Sequence, residues 1–320
     1  MAAGLQAVGN TPLVRLRSLE PSGGAQLWAK WEGANPTGSM KDRMAAGMIA
    51  FGEESGALRA GMRVVEYTGG STGSSLAMVC AARGYRARLV TADCFAPEKI
   101  RTMRAFGAEV EVLDSAGGKV TPVLFDRFKA RIAELAEDPD TWWADQFVNP
   151  GNVEGYRSLG YEIVERLDDG VDGFVMGIGT GGCFSGVAEV LKSHYPSVTC
   201  VAVEPASSRN LSGGQLGGHR LEGIGVGFLP PSAKLDLADE IIAITDEDAF
   251  ATAREVARRE GLFAGQTSGA NVLAAQRLAA RFGPHQRVVT ILVDTGLKYL
   301  AGDLFGDQSP VVPPAKAGQQ

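Results

Sequence analysis

Short β-branched runs alternate with amphipathic stretches along most of this chain. Brief apolar runs bounded by turn residues read as buried strands, and apolar positions spaced by three and four read as helices. On that basis Leu27–Trp31, Arg63–Glu66, Ala87–Thr91 and Glu109–Leu113 are expected to be strands. Helices are expected over Asp42–Ser55, Ser74–Arg83, Pro97–Phe106 and Val120–Glu137. A turn-rich stretch, EDPDTWWADQFVNPGN, breaks the rhythm near residues 138–153. The alternation resumes with helix Gly155–Leu167, strand Gly173–Met176, helix Ser185–His194 and strand Thr199–Val203. Helices Glu247–Glu260 and Ala270–Phe282 then precede strand Val288–Val293. This order predicts an α/β protein whose mainly parallel sheets carry helices on both faces, with a cleft at the break. The proline-rich end, DQSPVVPPAKAGQQ, lacks periodicity and is expected to be disordered.

Ligands in open α/β sheets bind beyond the carboxyl ends of strands, and four small-residue loops are expected there. Gly33–Arg43 (GANPTGSMKDR) sets Lys41 at the start of a helix. A cation is disfavoured there by the helix dipole. Lys41 therefore reads either as a solvated surface lysine or as one aimed into a cleft, its charge shared with a conjugated cofactor. Tyr67–Gly73 (YTGGSTG) offers hydroxyls and free amides to a carboxylate or phosphate, and equally reads as a capping turn. Gly177–Cys183 (GIGTGGC) lacks the Gly-Lys-Ser/Thr ending of a nucleotide P-loop but fits GxGxxG through Gly177, Gly179 and Gly182. Glu204 ends the next predicted strand, as a dinucleotide site requires, so an NAD(P)-dependent oxidoreductase is a rival reading of this segment. Gly265–Ala270 (GQTSGA) precedes a helix and also reads as a cap.

Composition narrows the classes. The 42 glycines among 320 residues show no collagen-like period and point to tight loops near a ligand. A net charge of −6 argues against a nucleic-acid partner. No apolar run is long enough to span a membrane, and the first residues lack the features of a signal peptide. A cytoplasmic protein is expected. Cys80, Cys94, Cys183 and Cys200 form no CxxC and are expected to be buried free thiols. His194, His219 and His285 are too scattered for a metal site, and no GxSxG elbow supports a serine hydrolase.

Taken in order, the segments resemble the cysteine synthase and cystathionine β-synthase family of pyridoxal-phosphate (PLP) enzymes, fold type II. The resemblance runs from Val8 to about Phe305 through VGNTPLVRL, NPTGSMKDR, QFVNPGN, GIGTGGCFSGV, VAVEP, LSGGQLGGHRLEGIGVGF, GQTSGA and VVTILVDTGLKYL. It implies two open, twisted, mainly parallel sheets with PLP in the cleft between domains. The smaller domain would take residues 36–150 with 1–10, and the larger 151–305 with 11–35. The resemblance implies that Lys41 holds PLP as a Schiff base and then serves as general base. Gly179, Thr180, Gly181, Gly182 and Cys183 would cradle the phosphate, and Thr267 would reach the pyridine nitrogen. Thr68, Gly69, Gly70, Ser71, Thr72 and Gln146 would hold the substrate carboxylate, with Ser71 also near the cofactor and Gly223 beside the substrate amine. The implied reaction is β-replacement on an O-activated serine through an α-aminoacrylate, giving cysteine when sulfide attacks. A small amino acid and a small nucleophile are the implied partners, and a homodimer the implied assembly. A PLP lyase releasing pyruvate and ammonia, and a non-catalytic binder on the same fold, are the other readings.

The chain departs from the family pattern in places. The substrate loop, usually T-S-G-N-T-G, reads Thr68-Gly-Gly-Ser-Thr-Gly73. Gly69 removes a hydroxyl expected on the carboxylate, a bond worth about 1.5–3 kcal/mol when one partner is charged. Ser71 replaces an asparagine, Cys183 a threonine, and Arg157-Ser-Leu-Gly160 a TTG-like stretch. These changes bear on which donor and nucleophile are used.

Overall fold

The computed structural model describes residues 2–115 and 122–306. The proline-rich end and the start of the helix expected from Val120 lie outside the described residues.

Along the chain come α1 (Ala3–Gln6), β1 (Leu13–Arg15), β2 (Gln26–Trp31), α2 (Lys41–Glu54), β3 (Arg63–Tyr67), α3 (Ser71–Arg83) and β4 (Arg86–Ala92). Then follow α4 (Pro97–Ala105), β5 (Glu109–Leu113), α5 (Pro122–Leu135), β6 (Thr141–Trp143), α6 (Gly151–Arg166), β7 (Gly173–Gly177) and α7 (Gly182–His194). The chain continues with β8 (Thr199–Pro205), β9 (Glu240–Ile244), α8 (Asp246–Glu260), α9 (Gln266–Ala279) and β10 (Arg287–Leu292). The strands form two sheets. One has four strands in the order β5-β4-β3-β6, all parallel. The other has six in the order β1-β2-β10-β7-β8-β9, parallel except where β1 pairs antiparallel with β2.

Both sheets are covered on both faces, so their strands are apolar at successive positions. On β7, Phe174 and Met176 enter one core while Val175 enters another. On β3, Val64 joins the first core and Val65 a third, behind the smaller sheet. That first core is continuous across both sheets and takes buried side chains from α2, α3, α6 and α7. At roughly 25 cal/mol per Å² of apolar area, this shared core holds the two sheets at a fixed spacing around the cleft.

Three strands escaped the reading of the sequence. β6 lies inside the turn-rich break, where Thr141-Trp-Trp143 supplies one short parallel edge to β3. β1 spans three residues, and β9 is an edge strand with mostly half-buried side chains, so each gives little periodicity. The helices after three of the loops begin earlier than expected: α3 at Ser71, α7 at Gly182 and α9 at Gln266. Their small polar residues are therefore the first helical turns themselves.

Candidate active site

Four segments converge at the carboxyl ends of the strands. β2 runs through residues 32–40 into α2, β3 through Thr68–Gly70 into α3, and β7 through Ile178–Gly181 into α7. The fourth segment corrects the expectation that it follows a strand. It joins α8 to α9, and an isolated bridge between Ala264 and Thr295 draws it to the end of β10.

Lys41 opens α2 and is buried, 8% exposed. Its ammonium makes no hydrogen bond or ion pair among the described residues. Burial lowers its pKa; nearby Cys183 and Asp294 oppose that, and Lys298 adds to it. The residues around Lys41 fix it. Asp42 accepts from Thr37 N at 2.7 Å and Thr37 Oγ1 at 2.6 Å, closing the preceding loop. Arg43 is buried and donates to Glu32 through Nε (2.8 Å) and Nη2 (2.9 Å), and to Glu162 of α6 through Nη1 (2.7 Å). Lys30 completes the set on Glu162 at 2.5 Å. Thr11 Oγ1 donates to Glu32 at 2.6 Å, and Asn35 Oδ1 accepts from Gly9 N at 2.9 Å. The VGNTP and NPTGSMKDR segments are thus one buried polar network. These cations hold the Glu162 carboxyl down at about 2 against the burial that would raise it. Bidentate Arg–carboxylate geometry adds direction as well as energy.

The Gly177–Cys183 loop has the shape of a cradle. A Cβ on Gly179 would lie 1.9 Å from Gly223 O, and one on Gly181 2.5 Å from Ala233 N. A Cβ on Gly182 would lie 1.9 Å from Asn152 Oδ1. Gly181 also has φ of 90°, a conformation that side chains disfavour. The loop therefore presents bare backbone at the start of the thirteen-residue α7, where free N–H groups and the helix dipole suit a phosphate. Thr180 is buried and donates weakly to Met44 Sδ, 3.8 Å away and one turn along α2 from Lys41. Cys183 is buried with its thiol pushed up to about 12, so it is neutral and offers its backbone amide. Asn271 supports the loop from below, accepting from Gly177 N at 2.8 Å and donating to Ile291 O at 2.9 Å. The residues present fit a PLP phosphate: a glycine-lined backbone cradle facing a buried, unpaired lysine. Thr267, in the first turn of α9, donates to Glu222 O at 2.7 Å, which brings it beside Gly223 and hence Gly179.

The Thr68–Gly73 loop is built differently. Thr68 Oγ1 accepts from Gly70 N (2.9 Å) and Gly73 N (3.1 Å), tightening the turn. Thr72 donates to Gln146 Oε1 at 2.7 Å, and Gln146 Nε2 donates to Tyr67 O at 3.0 Å. Ser71 O accepts from Ser75 Oγ at 3.0 Å, and Ser75 lies 3.3 Å from Thr37 Oγ1, which binds Asp42. A hydroxyl chain thus links α3, which follows the Thr68–Gly70 loop, to the lysine loop. Glu66 anchors Gln146 by accepting from its N–H at 2.9 Å; burial pushes the Glu66 carboxyl up to about 8, against hydrogen bonds that lower it. The residues expected from the sequence therefore gather in three groups: Lys41; Gly179–Cys183 with Thr267 and Gly223; and Thr68–Thr72 with Gln146. Asp42, Arg43, Glu32, Glu162, Glu66 and Asn271 were missed as positioning residues. For Asp42 and Arg43 the signal was available, because both lie in the NPTGSMKDR segment.

Two other expectations are corrected or refined. Glu204 is spent inside the protein, accepting from Leu211 N at 2.8 Å and Ser212 Oγ at 2.5 Å, so it does not meet a ribose. Cys94 is only half-buried, unlike the other three free cysteines. No group of metal-ligating side chains occurs among the described residues, and none of their helices is long and apolar enough to cross a membrane.

Fold and site together define a PLP-dependent enzyme. The family model for pyridoxal-phosphate-dependent enzymes matches residues 5–294, and the chain belongs to that family. Within it, a probable cysteine synthase of Bacillus subtilis (strain 168) is 43% identical over 303 residues, 93% of this chain and 96% of that protein. The crystal structure of O-acetyl serine sulfhydrylase isoform 3 from Entamoeba histolytica superposes with a TM-score of 0.89 at 35% identity, covering 96% of this chain and 92% of that one. An O-acetylserine-dependent cystathionine β-synthase from Helicobacter pylori gives 0.88 at 34% identity, covering 95% and 99%.

Proposed function

We propose that this enzyme catalyses β-replacement on an O-activated serine, O-acetylserine with sulfide giving cysteine and acetate. The observation that carries the reading is the buried, unpaired Lys41 at the start of α2, with the bare backbone cradle of Gly179–Gly182 at the start of α7. PLP, when bound, supplies the electron sink that lets an amino acid lose its Cα proton. The chain's own residues do the rest. Lys41 Nζ, its charge disfavoured by burial, takes the Cα proton as general base. The amides of Gly179 to Cys183 would hold the phosphate, and the Thr267 hydroxyl, which donates to Glu222 O, would face the pyridine nitrogen without a formal negative charge. A carboxylate there would favour a long-lived carbanion; a hydroxyl favours prompt loss of the Cβ leaving group. The amides of Gly69 and Ser71 and the second Nε2 hydrogen of Gln146 would receive the substrate carboxylate; Gly70 N–H and the Thr72 hydroxyl, which donate to Thr68 and Gln146, shape the loop, and Gly223 would lie beside the amine.

The same reading includes a smaller domain of 36–150 with 1–10 and a larger one of 151–305 with 11–35. The assignment of β3–β6 to one sheet, and of β1, β2 and β7–β10 to the other, supports this division. It also includes a cytoplasmic location and a homodimer; light scattering on the purified protein tests the homodimer. The function is tested by visible absorption before and after O-acetyl-L-serine. A lysine-bound cofactor band that the donor converts, with cysteine formed on adding sulfide, is expected. A band unmoved by the donor overturns the choice of substrate, and pyruvate at equal rates with and without sulfide overturns replacement.

A further inference from the structure

A cavity of about 380 Å³ lies between the lysine loop, α3, α4 and residues 295–298, lined in part by Thr37, Ser74, Glu98, Lys99, Thr102 and Lys298. None of Lys41, Thr68–Gly73, Gly179–Cys183 or Thr267 lines it. Two of its charged groups are shielded from solvent and have no hydrogen-bond partner: Lys298 Nζ and Glu98 Oε2. They form no ion pair with each other or with any other described residue. Lys99, the other charged side chain in the wall, is already paired with Glu222. Lys298 lies in the field of the Asp294 and Asp42 carboxylates but contacts neither. A buried charged group with no hydrogen-bond partner is unfavourable, and this cavity presents one of each sign. We propose that it binds a small zwitterionic α-amino acid, its carboxylate on Lys298 and its ammonium on Glu98. Thr102 Oγ1 donates to Glu98 O at 2.8 Å, fixing that part of the wall on α4. The ligand would bridge α4 and the segment after β10, and so touch both sides of the cleft.

Such a ligand has two sources: a second substrate, an amino-acid thiol attacking as nucleophile, or an effector. The site rests on the cavity alone; only the choice of source rests on the proposed β-replacement. The test uses holoenzyme whose cofactor has been locked onto Lys41 with borohydride, closing the reaction site to amines. Equilibrium dialysis with labelled L-alanine is expected to give one equivalent bound per chain. Glu98→Gln and Lys298→Met should each weaken it at least tenfold, and acetate or methylamine should compete at least tenfold more weakly than alanine. Thr102→Leu, which fills the cavity without removing a charge, should also abolish binding and covers the case where a charge variant fails to fold. No binding, or binding equal in all three variants, overturns the proposal. Once binding is found, thioether formed from L-homocysteine by the untreated enzyme, and lost in Glu98→Gln, supports the site as one for a second substrate. A changed sulfide-dependent rate without thioether supports it as an effector site.

Discussion

The two glycine loops that face the cleft differ in what walls them. Around Gly179 and Gly181 the nearest obstacles are backbone atoms, Gly223 O and Ala233 N, and around Gly182 the buried Asn152 side chain, itself tied to Gln146 O at 2.7 Å. Around Gly69, Gly70 and Gly73 they are side chains: the Phe95 ring at 3.0 Å, Lys99 Cδ at 2.3 Å and Met103 Sδ at 2.5 Å. Backbone walls give way only if the chain around Gly223 and Ala233 shifts as a whole, whereas the far ends of side chains change rotamer at modest cost. The loop proposed to hold the phosphate is thus the more rigid, and the loop proposed to hold the substrate carboxylate can vary while the fold stays, except at Gly70, whose φ of 131° favours glycine. The departures from the family pattern within these loops follow that division. Two of them, Gly69 and Ser71, fall in the side-chain-walled loop, and the one in the cradle, Cys183, leaves its backbone amide intact.

The largest expected effect is on the rigid side. Arg43→Met removes the cation between Glu32 and Glu162 and leaves a buried carboxylate without its partner, which costs about 3–5 kcal/mol. Denaturant unfolding measures the loss. A change below about 1 kcal/mol would mean that the network does not anchor α2. Next comes Gly179→Ala, whose Cβ would meet backbone at 1.9 Å. Overpacking of this kind costs about 1–3 kcal/mol. Here the cost should appear as lost cofactor affinity, read from the visible band during dialysis, with thermal stability of the apoprotein falling less.

The third prediction concerns pH. Glu66 has its carboxyl raised from 4.5 to about 8. Between those values the folded protein holds a proton that the unfolded chain has released, so stability is fullest below about 4.5 and falls as pH rises toward 8. Glu66→Gln should remove that slope. Between pH 6 and 8 the difference between variant and wild type should change by about 2 kcal/mol, at roughly 1.4 kcal/mol per unit. Parallel stability curves would place the Glu66 pKa outside this range.

The sequence made most of this architecture legible because the central strands are buried on both faces and read as apolar runs. β9 and β6 were lost because an edge strand or a three-residue strand carries too few positions for a period. The cleft residues were legible through loop chemistry: glycines, hydroxyls and one lysine at helix starts. What stayed hidden were partners far apart in sequence. Arg43 and Glu162 are 119 residues apart, and Glu66 and Gln146 80 apart, so neither pairing leaves a local pattern. The GxGxxG reading failed for the same reason, since only the fold reveals that Glu204 turns inward to Leu211 and Ser212.

The smallest effect sharpens the comparison from the adaptable side. Gly69 is not in a left-handed conformation, so a side chain is tolerated there, and its Cβ would rest 3.0 Å from the edge of Phe95. Gly69→Ser should therefore fold normally and return a hydroxyl to the carboxylate site. A hydrogen bond to a charged group is worth about 1.5–3 kcal/mol, and displacing the Phe95 ring offsets part of it. A net gain of about 1 kcal/mol corresponds to roughly a fivefold lower KM for the amino-acid donor. Because the bond forms in ground state and transition state alike, kcat should change little. Steady-state kinetics with O-acetyl-L-serine checks this. If KM stays fixed while stability drops, Phe95 is as unyielding as the backbone around Gly179, and the contrast between the two loops does not hold.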